Sequence, residues 1–359
     1  MEQSIKDIFK ERKWSKPTEV AFFKEIYSQL DKGVEKGFGS TFVDLAYDSA
    51  DFELLSNLKY NAASLASFKN YNYSEDLFKE LLDDNGEIRS FKSFNEEALK
   101  LDNKYNKTWL KTEYDNAIAQ SNMASRWLEF EKDADLYPNL RYLQIDRDTK
   151  NQAHVPWNGI VLPINHPFWN THTPPNDWGC GCDLEQTDEG VETKGISVEE
   201  MPNLKDGFNI NPGKEGKVVS GDHPYFKVNN YDEVAKKSLQ FYKQFKQKEY
   251  MPLLRKSFQG KTYDLAAKKI TVTKTGLEHC LRDGHKRLSL KNDLLQKLDE
   301  VMENLIYIGE APDYKNRTKY TYVYYKLKGY DDMFIDVRYD NDSKQYQLYS
   351  FGDKLNYLK

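Results

Sequence analysis

The sequence predicts a multidomain α+β protein with a mainly helical N-terminal region and a small C-terminal domain of mixed structure. Three observations support this class. Apolar residues recur at helical spacing through about the first 135 residues, as in the run from Leu110 to Leu128. The stretch 137–225 is irregular and rich in Pro, Gly, Asn, His and Trp. The pattern of residues 262–359 predicts two helices and then a four-stranded antiparallel meander.

A chain of 359 residues is too long for one ordinary hydrophobic core, and we expect three parts. The first part, 1–230, contains an irregular segment with a Cys-x-Cys loop at 137–185 and a polar strap at 186–230. A basic helical linker at 231–261 leads to the C-terminal domain at 262–359. Helices in the first part are predicted over 50–70, 74–84, 93–103 and 106–133. Strands of the meander are predicted at 304–310, 319–328, 333–340 and 345–351.

Composition excludes several classes of protein. The mean hydropathy is −0.82, and no apolar run approaches the ~18 residues that a membrane span needs. The first residues lack the apolar core of a signal peptide, so we expect a cytoplasmic chain without a membrane partner. Three cysteines, Cys180, Cys182 and Cys280, are too few for a disulfide framework.

The charge is distributed unevenly along the chain. Residues 235–359 hold 25 Lys and Arg against 16 Asp and Glu, a net charge of +9. Residues 1–234 hold 27 basic and 41 acidic residues, a net charge of −14. A basic C-terminal part suits contact with RNA or DNA, although lysine-rich helices that only face solvent would give the same count.

Four side chains of the irregular segment form a candidate zinc site: His154, His172, Cys180 and Cys182. Zinc accepts Cys and His ligands in a tetrahedron. The alternative is that the two cysteines are buried in a turn beside Trp169 and Trp178.

Residues 15–230 resemble the phage Mu protein F-like head-morphogenesis family, also called minor head proteins. The resemblance is strongest between Leu143 and Asp183. Its motifs, in chain order, are Asp146-Arg147-Asp148, His154, Gly159-Ile160-Val161-Leu162-Pro163, Pro167-Phe168-Trp169, Pro174-Pro175 and Trp178-Gly179-Cys180-Gly181-Cys182. Two positions depart from the family, which usually has Arg where Gly181 and Asn151 stand, so any phosphate contact or internal pairing by those arginines is missing here.

This resemblance implies a protein present in a few copies per phage or prophage capsid. It would act in head assembly near the portal, with the portal and other head proteins as partners. The implied location is the virion and, during assembly, the cytoplasm of the bacterial host.

Three residues of the C-terminal domain are candidates for RNA cleavage without a metal ion. His279 and His285 are its only histidines, and they lie on either side of Gly284, which ends the first helix. One would serve as base and the other as acid, while Arg338 would stabilise the phosphorane charge. Side chains expected to join Arg338 on an open sheet face, or to extend the basic patch, are candidates for nucleic-acid binding: Lys286, Arg287, Tyr322, Tyr324, Lys326 and Tyr349.

The element order and the two histidines of residues 262–359 resemble the phage barnase–EndoU–colicin–RelE-like nuclease superfamily. This resemblance implies a ribonuclease toxin or effector carried by a virion protein, for which an immunity protein is an expected partner. Two alternatives remain. The C-terminal domain of a purely structural virion protein would bind nucleic acid without cleaving it, or the whole chain would be a prophage-derived toxin.

Overall fold

The computed structural model describes residues 2–145, 151–193, 195, 197, 204–282, 284–313, 318–353 and 355. Its contacts divide the chain into two compact units, each made of two stretches of sequence. Unit 1 comprises Met1–Ser40 and Asn57–Phe241, and unit 2 comprises Thr41–Ser56 and Tyr242–Lys359. Within the described part of the chain, no helix is both long and apolar enough to cross a membrane.

Unit 1 is mainly helical, as the sequence predicts. The helices that contribute to it are α1 (Glu2–Glu11), α2 (Lys16–Phe38), α3 (Ala50–Lys79), α4 (Phe91–Asp102), α5 (Leu110–Lys132), α6 (Pro212–Glu215) and α7 (Tyr231–Phe258). A π-helical segment, Asn103–Trp109, joins α4 to α5. Helix α3 is continuous where two helices were predicted, and both α3 and α7 contain residues of each unit.

Local sequence signals explain the limits of α2. The Ser15 side chain accepts a hydrogen bond from the Thr18 amide at 3.3 Å, Pro17 lies in the first turn, and Gly39 ends the helix with a φ of 80°. The buried face of α2 includes Phe23 and Leu30 and packs against α5.

Gly37 allows the two backbones of this helix pair to approach closely. A Cβ atom at Gly37 would lie 2.1 Å from the carbonyl oxygen of Ile118 and 2.8 Å from its carbonyl carbon. Both atoms belong to the backbone, so the collision cannot be relieved by rotating a side chain.

Replacing Gly37 with Ala is therefore expected to lower the free energy of unfolding by about 1–3 kcal/mol, because overpacking outweighs the ~1 kcal/mol that Ala gains in helix propensity. Urea unfolding monitored by tryptophan fluorescence measures this, since all six tryptophans belong to unit 1. Gly190→Ala is the control, because a Cβ atom there meets nothing within 4 Å. Equal midpoints for the two variants would contradict the prediction.

Unit 1 also contains a three-stranded sheet, within the stretch that the sequence predicts to be irregular. Strands β1 (Asn139–Gln144), β2 (Val161–Pro163) and β3 (Cys182–Thr187) pair antiparallel in the order β2-β1-β3. Their apolar side chains share a core with Trp127 of α5 and with Trp169. The segment predicted to be irregular thus has a small sheet as its centre.

Unit 2 combines helices with a six-stranded sheet. Its elements, besides parts of α3 and α7, are β4 (Thr262–Leu265), β5 (Lys268–Thr271), α8 (Lys274–Arg282), α9 (Leu288–Leu294), α10 (Leu298–Glu303), β6 (Leu305–Pro312), β7 (Tyr320–Leu327), β8 (Phe334–Asp340) and β9 (Gln345–Gly352). The predicted meander is present as β6-β7-β8-β9, with antiparallel pairing throughout. The prediction of only four strands was wrong, because the hairpin β4-β5 extends the sheet and β5 pairs parallel with β9. The second predicted helix is divided into α9 and α10 by a 3-10 turn at Leu295–Lys297.

A buried polar network ties α3, α7 and α9 together inside unit 2. The Asp293 carboxylate accepts hydrogen bonds from Lys246 Nζ at 3.0 Å, from the Tyr250 hydroxyl at 2.6 Å and from the Ser56 hydroxyl at 2.7 Å. The Lys246 and Asp293 side chains are 2% and 0% exposed. Removing one charge of a buried ion pair leaves the other charge without a partner, which strongly destabilises the folded state.

Candidate functional site

The two cysteines of the irregular segment lie at the start of β3. Cys182 is the first residue of that strand, and Cys180 precedes it in a tight turn. The Cys180 amide donates to the Asp177 carbonyl at 3.1 Å. Gly179 has a φ of 64°, in the left-handed region that favours glycine. This turn brings both sulfur atoms to the same place.

His154 reaches the two cysteines from a separate element, the 3-10 helix Gln152–Trp157. Its ring is buried and stacks on the Trp157 ring, with centroids 4.6 Å apart and planes inclined by 16°. His154 Nδ1 lies 3.6 Å from Cys180 Sγ and 3.5 Å from Cys182 Sγ. The stacking therefore holds one ring nitrogen equally close to both sulfur atoms.

These three side chains offer one donor atom each, and the donor atoms all lie within 4.8 Å of one another. We call this set the Cys2His group. It borders a cleft of about 280 Å³. The other residues that line the cleft are Gln144, Ile145, Asn151, Asp177, Trp178, Gly179 and Gly181.

The environment of the group favours a thiolate. The hydrogen bond with Cys182 and, to a smaller extent, the hydrogen bond with His154 lower the pKa of Cys180 to about 4, although burial acts in the opposite direction. A thiolate is the form of cysteine that binds metals and attacks electrophiles.

His172, the fourth predicted zinc ligand, is not brought to the Cys2His group. Its ring stacks on Phe168 at 4.4 Å, and its Nδ1 atom is 2.8 Å from the Thr171 hydroxyl. Within the described residues, the side chains whose donor atoms lie close enough together to hold one metal ion are His154, Cys180 and Cys182, and His172 is not among them. Another predicted motif, Asp146-Arg147-Asp148, lies outside the described residues.

Asn151 and Asp177 were not among the functional residues predicted from the sequence. The Asn151 amide nitrogen is 3.2 Å from Asp177 Oδ2 and 3.4 Å from His154 Nε2. Asp177 also pairs with Lys205 at 3.0 Å. The signal for Asn151 was its departure from the family's usual Arg, and the signal for Asp177 was its position directly before the Trp-Gly-Cys-Gly-Cys run.

A second cavity in unit 1, of about 510 Å³, lies beside Trp178. Its lining includes Trp109, Glu113, His223 and Tyr225. Burial and, to a smaller extent, the charge of Lys69 lower the pKa of His223 to about 4. His223 is thus neutral near pH 7.

The free energy of unfolding should consequently fall as the pH is lowered from about 6.5 to about 4. In this window the unfolded chain binds a proton at His223 that the folded chain does not, and the loss approaches about 3 kcal/mol. Urea unfolding monitored by tryptophan fluorescence at pH 7 and pH 4.5 tests this, with His223→Gln as the comparison. The variant should lose less stability between the two pH values than the wild type, and equal losses would count against the assignment.

In unit 2, two of the three predicted catalytic residues lie around one tyrosine. The Arg338 guanidinium lies 4.9 Å from the centre of the Tyr349 ring and 4.6 Å from that of Tyr320. The His279 ring lies 4.7 Å from the same Tyr349 ring. Arg338 donates to Gln347 Oε1 at 3.1 Å, while its Nε atom is buried without a hydrogen-bond partner among the described residues.

His285 is held elsewhere. Its Nε2 atom is 2.8 Å from the Asp332 carbonyl oxygen, and its Nδ1 atom accepts from the Arg287 amide at 2.8 Å. Burial lowers the pKa of His285. Among the described contacts, none joins His285 to His279, so the structure does not bring the two histidines together.

The predicted nucleic-acid contacts are dispersed. Lys286 is exposed, whereas Arg287 pairs with Glu53 and Asp332, and Lys326 pairs with Asp331. Tyr322 and Tyr324 are 3% and 0% exposed, so the expected open sheet face is not found at these two tyrosines. Tyr322 packs edge-on against Tyr349.

Comparisons with known proteins agree with part of this picture. A stretch of 99 residues is 28% identical to the Mu-like prophage FluMu F protein of Haemophilus influenzae strain Rd, and covers 26% of this chain and 24% of that relative. A stretch of 59 residues is 34% identical to the protein named as capsid assembly protein F in Escherichia phage Mu, and covers 16% of this chain and 13% of that relative. These matches support the predicted resemblance of this chain to the Mu F-like family.

The Mu F-like matches span a quarter or less of each relative. Residues 242–349 match a different family model, the large polyvalent protein-associated domain 3, and this range falls within unit 2. No solved structure matches the chain. The resemblance of residues 262–359 to the nuclease superfamily gains no support from these matches and stays a prediction.

Proposed function

We propose that this chain is a phage head-assembly protein and that unit 1 is its F-like module. The similarity to two F proteins, one of them named for capsid assembly, carries the proposal. The geometry agrees with it, because motifs that are far apart in the sequence, His154 and the Trp178–Cys182 run, meet at one cleft. On this proposal the partners of the chain are other phage head proteins, including the portal, and its location is the virion and the host cytoplasm.

The proposal is tested in the phage or prophage whose genome encodes this chain. Mass spectrometry of purified heads should detect the protein, and deletion of its gene should reduce the yield of DNA-filled heads. Complementation with Trp178→Ala, which alters the F-like motif, should restore fewer heads than complementation with Trp14→Ala, a tryptophan outside the motif. Normal heads from the deletion strain would reject the role.

A second function is proposed for unit 2, the cleavage of RNA without a metal ion. One observation favours it: Arg338, whose Nε atom is buried without a partner among the described residues, shares the Tyr349 ring with His279. A histidine and an arginine that contact the same tyrosine ring supply a proton-transfer group and a cation for phosphorane charge. The toxin and immunity-protein proposals depend on this activity.

The assay is cleavage of a mixed RNA pool by the full chain in EDTA. If unit 2 is a ribonuclease, His279→Ala should slow cleavage by about 10²–10⁴-fold and Arg338→Ala by about 10²–10³-fold. His285→Ala tests the third predicted residue, and Arg255→Ala serves as a charge control. Intact RNA, together with binding that weakens steeply with salt, would leave unit 2 as a nucleic-acid-binding module.

A further inference from the structure

The distances within the Cys2His group match those that a tetrahedral zinc ion imposes on its ligands. Zinc binds nitrogen at 2.0–2.1 Å and sulfur at about 2.3 Å, so a nitrogen and a sulfur on the same ion lie about 3.5 Å apart. His154 Nδ1 lies 3.6 Å from Cys180 Sγ and 3.5 Å from Cys182 Sγ. All three donor atoms lie within 4.8 Å of one another.

We propose that His154 Nδ1 and the thiolates of Cys180 and Cys182 bind one Zn²⁺ ion, whose fourth coordination position opens into the adjoining cleft. The proposal does not depend on the head-assembly role or on a nuclease activity. It assigns no ligand role to His172, which stacks on Phe168 instead.

The chemistry of the donors selects the metal. Two sulfur donors and one imidazole suit zinc, whereas Ca²⁺ and Mg²⁺ require oxygen ligands. A closed structural zinc site has four protein ligands, and three protein ligands leave one position for water or another small ligand. The cleft of about 280 Å³ beside the group has room for such a ligand.

The surroundings hold His154 in the orientation that binding requires. Its ring is fixed by stacking on Trp157. When Nδ1 binds a metal, Nε2 keeps the proton and is a donor. The Asn151 atom that faces Nε2 at 3.4 Å is its amide nitrogen, which is also a donor. The orientation of the ring therefore rests on its stacking with Trp157 rather than on a hydrogen bond to Asn151.

A pair of one thiolate and one imidazole, without metal, is the competing explanation. It would require the His154 N–H to be shared between two sulfur atoms, a weaker arrangement because neither acceptor then lies in line with the N–H. Here two sulfur atoms lie at nearly equal distances from a single nitrogen. A shared metal ion accounts for both distances.

The metal content of the full chain, purified under reducing conditions without a metal-affinity tag, provides the first test. Inductively coupled plasma mass spectrometry should find about one zinc per chain in the wild type. The variants Cys180→Ser, Cys182→Ser and His154→Asn should bind zinc more than about 100-fold more weakly. Cys280→Ala, which removes the third cysteine, should retain the full content.

Cobalt and alkylation measurements keep the test decisive if a variant fails to fold. Wild-type protein loaded with Co²⁺ should show sulfur-to-cobalt charge-transfer absorption, and bound zinc should slow iodoacetamide modification of Cys180 and Cys182 at least about 10-fold relative to EDTA-treated protein. Two results would overturn the proposal. One is wild-type protein that lacks zinc and shows equal alkylation rates with and without added zinc, which would identify a metal-free thiolate pair. The other is zinc retained by both cysteine variants, which would place the ion elsewhere.

Discussion

Replacing Asp293 with Asn is expected to lower the free energy of unfolding of unit 2 by about 3–5 kcal/mol. The substitution keeps the size of the side chain but removes its charge, and the Lys246 ammonium 3.0 Å away is then buried without a counter-charge. Removing one partner of a buried ion pair typically has an effect of this size. Tyr250 and Ser56 also lose an anionic acceptor.

Urea unfolding followed by far-UV circular dichroism measures this effect. Tryptophan fluorescence recorded on the same samples reports on unit 1 alone, because unit 2 contains no tryptophan. The matched control is Asp331→Asn, since Asp331 is fully exposed although it also pairs with a lysine, Lys326. The control should leave the midpoint unchanged. The double variant Lys246→Met/Asp293→Asn should recover much of the loss, and a double variant as unstable as Asp293→Asn would show that the charge is not the cause.

The meander of unit 2 was predictable because it depends on local signals. Turn residues separate four runs of β-forming residues. The hairpin β4-β5 was missed because its turn lacks the usual Asn-Gly or Asp-Gly signal. Ala266 and Ala267 form the turn with φ values of 47° and 62°, a conformation that alanine rarely adopts.

The limits of the two units depend on contacts between distant parts of the chain. Thr41–Ser56 belongs to unit 2. There, the Tyr330 hydroxyl donates to the Tyr47 carbonyl at 2.6 Å and Ser56 reaches Asp293. Neither contact follows from the periodicity of a helix or a strand, so no sequence pattern separates this segment from its neighbours.

The candidate metal site was only partly predictable, because the sequence shows the residue types but not which of them meet in the fold. The residue types His and Cys narrow the choice of ligands, and Cys180 and Cys182, one residue apart, are close enough in the sequence to bind the same ion. Which histidine joins them depends on the 3-10 helix that carries His154 and on its stacking with Trp157. His172 has the same chemistry but a different neighbour, Phe168. Sequence spacing does not distinguish the two.

Unit 1 contains a second buried ion pair, Lys69–Glu113, whose disruption should destabilise the protein as much as disruption of Lys246–Asp293 in unit 2. Lys69 Nζ lies 2.8 Å from Glu113 Oε2, and the two side chains are 0% and 4% exposed. The Tyr225 hydroxyl donates to Glu113 Oε1 at 2.9 Å. Burial lowers the pKa of Lys69, while Glu113 opposes this shift, so the lysine depends on the carboxylate to stay charged.

Lys69→Met should lower the free energy of unfolding of unit 1 by about 3–5 kcal/mol at pH 7, because Glu113 is left charged and buried. Lys69→Met/Glu113→Gln should recover most of this loss in urea unfolding followed by tryptophan fluorescence. The same lysine also lowers the pKa of His223. In the double variant, an NMR titration of His223 should therefore give a pKa higher than in the wild type. If the double variant regains stability but the pKa of His223 does not rise, Lys69 stabilises the pair without acting on the histidine. If stability is not regained, the loss comes from packing rather than from an uncompensated charge.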